Sequence, residues 1–134
     1  MAITINVWAV LVSAILYFFL GALWYSPLLF ARPWARLKGI DMDSSEEGPT
    51  PWMFIGSFVG GLVLTLGVAV LLSLVEPASF AGALALVAGA GLAFVAAPMF
   101  ASNLFGGDLR LWLIDSGYPF VAMIIAGAIL HAWV

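Results

Sequence analysis

Asp115 is the residue in this sequence whose type and place could do chemistry, a carboxylate set a few residues into an apolar stretch that begins near Leu109. An acid at membrane depth costs about 3 kcal/mol on insertion scales, so one that is kept marks a proton, cation or polar-solute site, or a packing knot. Its helical face continues through Tyr118, Pro119, Ala122 and Ala126, a small and polar stripe suited to the inside of a bundle. Tyr25 and Ser26 close the first apolar run, and Asn103 closes the third, at the depth that Asp115 occupies in the last. Tyr25 continues into Gly21, Phe18 and Ala14, and Asn103 into Ala96, Gly89 and Ala85. Three helices can therefore aim Tyr25, Ser26, Asn103 and Asp115 at one point, as a polar cluster that is either structural or solute-binding.

His131, the single histidine, lies about 160° around the same helix from Asp115 at 100° per residue and cannot share its site. Gly127, one turn earlier, would leave room for a flat macrocycle, which makes His131 the one candidate haem or chlorin ligand. Asn6 or Glu76 at the same outer level are its alternative partners. The balance favours a histidine that lies at the membrane interface, so no cofactor is predicted. There is no cysteine, no paired metal ligand, no Ser-His-Asp set and no glycine-rich phosphate loop. The sequence reads as non-enzymatic.

The elements that must position these residues are set by composition. Of 134 residues 65% are apolar and 8% charged, which excludes an ordinary soluble globule and leaves room for a single domain. The net charge of −3 comes without a basic block, so nucleic-acid binding is unsupported. The expected fold is an all-α membrane protein, four transmembrane helices in an antiparallel bundle with a short interfacial helix after the first span. The spans fall at about 5–26, 51–75, 78–102 and 110–133, each long enough for a hydrocarbon core of about 30 Å. The first run is too long for a signal-peptide core and is expected to stay. Thr4 or Asn6 can cap it.

Pro27 ends or kinks the first span, and Phe30, Trp34 and Leu37 then recur with helical spacing opposite Arg32 and Arg36. That short helix should lie along the surface, with Trp24, Trp34 and Trp112 as interfacial anchors beside Arg32 and Arg36. Residues 39–50 form an acidic Gly- and Pro-punctuated loop, whose four acids in seven residues lack the spacing of a calcium loop. Thr50-Pro51 starts the second span, Asp108 can cap the fourth, and Pro98 should kink the third. Gly56, Gly60, Gly61 and Gly89 offer faces for close helix packing, within the chain or between copies.

Trp24-Tyr25-Ser26-Pro27, followed by Leu29-Phe30 and Trp34, resembles the signature of a family of small prokaryotic integral-membrane proteins known as a domain of unknown function. The resemblance continues at Gly117-Tyr118 and in Gly127-Ala128-Ile129-Leu130 ending at Trp133, so it spans nearly the whole chain. It implies a four-helix membrane fold and names no activity.

Arg32, Arg36, Lys38 and Arg110 all fall in the first and third connections, which places loops 27–50 and 103–110 in the cytoplasm and both termini outside the cell membrane. Two functions follow. The protein is a structural or accessory subunit that forms a homo-oligomer or joins a larger membrane complex, with the lipid bilayer as its solvent. Alternatively an oligomer forms a pathway for a small solute, proton or cation past the polar cluster. The first is favoured, because mid-span polar residues amount to little beyond Ser13, Ser57 and Thr65.

Overall fold

The computed structural model describes residues 4–38, 51–106 and 109–133. Helix α1 (Val7–Trp24) is capped by Asn6, whose side chain accepts the Ala9 N–H at 3.1 Å. Pro27 ends it as expected, and the chain turns through Phe30 N–H to Trp24 C=O at 3.0 Å. Helix α2 (Ala31–Lys38) follows, with Pro33 in its first turn, where a missing N–H leaves no helical bond unmade. Helix α3 (Pro51–Val75) begins on a proline for the same reason. It stops at Glu76, whose φ of 51° is left-handed and whose N–H bonds back to Leu72 C=O. Ser79 then caps α4 (Phe80–Gly91), accepting Gly82 N–H at 2.9 Å.

The third span changes helix type just ahead of Pro98. A π-helical segment, Leu92–Ala96, precedes α5 (Ala97–Gly106), and Ala97 N–H reaches Leu92 C=O. Widening the helix by one residue ahead of a proline accommodates a ring that a regular turn would drive into the preceding carbonyl. The span therefore runs on as Phe80–Phe105, past the expected end at 102. Helix α6 (Leu109–Ala132) carries Pro119 in its interior. The expected caps Thr50 and Asp108, the acidic loop and its calcium reading lie outside the described residues.

Four helices are long and apolar enough to cross a membrane, Val7–Trp24, Pro51–Val75, Phe80–Phe105 and Leu109–Ala132. Helix α6 is the central one and packs against α1, α3, α4, α5 and α2. Val68, Leu72, Ala83, Val87 and Met123 form the core where α3, α4 and α6 meet. Large apolar side chains such as Val63, Phe94 and Phe105 face outward, an arrangement suited to hydrocarbon.

The glycines divide. Gly61 is buried against the Tyr17 ring, which occupies the place a Cβ would take. Gly56, Gly60 and Gly89 are exposed, and a Cβ on any of them would meet nothing within 4 Å. On α3, the side that meets α1 carries Gly61 and leaves Gly56 and Gly60 turned away from it.

Candidate functional site

The end of α1 fixes Trp24 and Tyr25 at the level of Asp115, and α2 folds back to add Trp34. The Tyr25 hydroxyl donates to Asp115 Oδ1 at 2.8 Å. Trp34 Nε1–H donates to the same oxygen at 3.0 Å. One carboxyl oxygen with two lone pairs accommodates both. Trp24 Nε1–H donates to Ile114 C=O at 2.8 Å, one residue before the acid.

Aromatic rings close the space around these bonds. Tyr25 meets Trp34 edge-on at 5.8 Å and Tyr118 edge-on at 5.9 Å, while Phe30 tilts over Trp24 at 4.8 Å. Tyr118 donates to Tyr17 C=O at 2.7 Å, joining α6 to α1 one layer deeper. The Trp24 ring can sit this close only because residue 117 is glycine, where a Cβ would come within 2.9 Å of Trp24 Cζ2.

Two residues of the expected cluster go elsewhere. Ser26 Oγ donates to Leu23 C=O at 2.6 Å and Asn103 Nδ2 to Met99 C=O at 2.8 Å, each on its own helix. Short polar side chains near a helix end commonly bond a carbonyl three or four residues back in this way, with no partner helix required. Ser57 and Thr65 do the same, on Met53 C=O and Gly61 C=O.

Trp24, Trp34 and Trp112 are half-buried and turn their indole N–H groups inward; Trp112 donates to Ala96 C=O at 2.8 Å and meets Phe100 edge-on at 5.2 Å. They staple helices together. Outward-facing indoles belong to Trp8 and Trp52, 72% and 78% exposed at opposite ends of the bundle. The sequence reading missed them, although each stands next to the start of a span. Arg32 and Arg36 are exposed on α2, while Ala31 and Ala35 form its buried face.

His131 lies across the bundle from this cluster, with Nε2 3.4 Å from Pro77 C=O and Phe80 edge-on at 6.0 Å. The room expected beside Gly127 is filled, since a Cβ there would come within 2.9 Å of Val87 Cγ2. A flat macrocycle does not fit against that face. Asn6 donates to Trp133 C=O at 3.4 Å, and it lines with Glu76 and His131 a cavity of about 510 Å³. Among the described residues no group of three or more metal-binding side chains gathers.

The arrangement can hold the end of α1, the turn at Pro27 and helix α2 onto the start of α6. Its parts are Trp24, Tyr25, Phe30, Trp34, Gly117 and Tyr118, the residues that carry the resemblance noted above, gathered on Asp115. No curated protein and no solved structure matches the chain. A family model described as Protein of unknown function (DUF1761) matches residues 8–131, which takes in the whole cluster, and the chain belongs to that family.

Proposed function

We propose that the protein is a non-enzymatic integral membrane subunit, structural or accessory, that associates with copies of itself or with a larger membrane complex. The Asp115 knot carries this reading, because both donors to its carboxylate come from side chains that fasten α1 and α2 to α6. Ser57, Thr65 and Asn103 turn back onto their own helices, which suits packing better than passage of a solute. The exposed face of α3 at Gly56 and Gly60 is the surface offered for association. Arg32, Arg36 and Arg110 fall at one end of the bundle, which supports a cytoplasmic position for that end and both termini outside. Cysteines at Ser45 and at the C-terminus should then label from opposite sides of the membrane; labelling from the same side would refute the orientation.

A second reading, a site for a small solute, proton or cation, is favoured by a crevice of about 430 Å³ lined by Phe18, Gly21, Tyr25, Phe54, Ser57 and Tyr118. Substitution at Asp115 separates the two. The amide oxygen of Asp115→Asn can accept both donors, so a structural knot keeps its melting temperature in detergent within a few degrees. Asp115→Leu removes the acceptor and should cost about 1–3 kcal/mol. A wild type stabilised by a particular cation or pH, with that response lost in Asp115→Asn, would establish the second reading instead.

A further inference from the structure

We propose that the crevice where α1, α3 and α6 meet is a binding site for a lipophilic organic cation, one whose charge sits on a quaternary ammonium or phosphonium centre. The proposal deepens the solute-site reading of the same crevice and rests on it. The space is about 430 Å³. Phe18, Gly21 and Ala22 of α1 line it together with Tyr25 just past the helix end, the i, i+3, i+4, i+7 spacing of one helical side. Phe54 and Ser57 close it from α3, and Tyr118 from α6.

The hydroxyl protons around this space are all committed. A hydroxyl has one proton to give and two lone pairs to receive with. Tyr25 gives its proton to Asp115 Oδ1 at 2.8 Å, Tyr118 to Tyr17 C=O at 2.7 Å and Ser57 to Met53 C=O at 2.8 Å. What the three retain for an occupant is lone pairs. The other lining residues are Gly, Ala and Phe, with no Lys or Arg among them. An anion finds neither a side-chain donor nor a positive charge there.

The rings supply the preference for positive charge. Phe18, Phe54, Tyr25 and Tyr118 put four aromatic rings around one space, and the negative face of a ring attracts a cation, most strongly where water is excluded. Phe18 stands at 58° to Phe54 with centroids 6.1 Å apart, and Tyr25 at 86° to Tyr118 at 5.9 Å, so neither pair stacks face on face. Phe54 is 50% exposed, which leaves its ring open to an occupant. Phe18 and Phe54 also border an adjoining apolar cavity of about 320 Å³, completed by Ile55, Phe58 and Val59. Alkyl or aryl arms of the cation lodge in that cavity while the charged centre stays among the rings and hydroxyls. A small metal ion gains nothing from the second cavity, and a neutral alcohol nothing from the charge on the ring faces.

The full chain in neutral detergent is dialysed against radiolabelled tetraphenylphosphonium or tetraphenylborate, ions of one shape and opposite charge, with detergent-only cells subtracted. The phosphonium should bind saturably and at least about tenfold more tightly than the borate. Phe18→Leu and Phe54→Leu remove a ring and keep an apolar side chain, and each should lose about fivefold in affinity. Phe54→Trp, which puts a ring back at a half-exposed position that tolerates it, should bind as the wild type does or more tightly. Phe94→Leu, at a ring 79% exposed outside the crevice, should change affinity less than about twofold.

Equal binding of the two ions overturns the proposal, as does unchanged affinity in both crevice leucine variants. A loss in Asp115→Asn with none in Phe54→Leu also overturns it and leaves the solute reading standing, with the cation at the carboxyl group. Absence of phosphonium binding, alongside a proton or metal-ion response that Asp115→Asn abolishes, has the same meaning; absence of both defeats the two together. Displacement of bound phosphonium by phosphatidylcholine, but not by phosphatidylglycerol of the same acyl chains, upholds the site and assigns its occupant to a lipid headgroup. Displacement by neither lipid upholds a free cation.

Discussion

Tyr25 and Trp34 reach one oxygen of Asp115 from two different helices, so their contributions are expected to couple. Removing either donor leaves the half-buried carboxylate with the other; removing both strips it of each. Tyr25→Phe and Trp34→Phe should each lower stability by about 1 kcal/mol, and the double variant by more than their sum. Thermal melting of the four proteins in one detergent measures this, and strict additivity would mean that the bonds do not share an acceptor. Depth along the helices was enough to place Tyr25 and Asp115 at one level, since residue counts from the span ends fix height. Trp34 was not legible as a donor, because an indole at a span end reads by default as a headgroup anchor and only the fold-back of α2 aims it inward. Ser26 and Asn103 were misplaced for the opposite reason: height says nothing about whether a short side chain prefers its own helix carbonyl.

Helix α3 shows how much one residue of helical rotation decides. Gly61 lies under the Tyr17 ring, and that ring packs on Tyr118 at 4.7 Å. Gly60, about 100° away around the helix, faces open space. Gly61→Leu should therefore force Tyr17 out of its place and cost about 1–3 kcal/mol of stability. Gly60→Leu should leave the fold of the single chain and its melting temperature in detergent unchanged. A melting temperature lowered equally by both would place α3 in a different rotation. Four spans and the surface helix were readable from apolar length, Pro27 and the spacing of Arg32 and Arg36, because these properties are local. Which glycine meets which ring, and the π-helical segment ahead of Pro98, depend on neighbouring helices and on relief of a proline clash, neither of which periodicity records.

At the scale of the whole molecule the chain keeps its polar chemistry inward and turns a glycine-bearing face of α3 outward. Gly56 and Gly60 lie one turn apart on that face, the spacing that lets a second helix come close enough for backbone contact in lipid. The proposed role as a subunit needs that face to be covered in the membrane. The direct measurement is the mass of the protein released from its native lipid, for the wild type and for Gly60→Leu. The account predicts an assembly on the order of two to four copies, or a defined foreign partner, in the wild type, and a well-folded single chain in Gly60→Leu. A wild type found as a single chain without partner would contradict it.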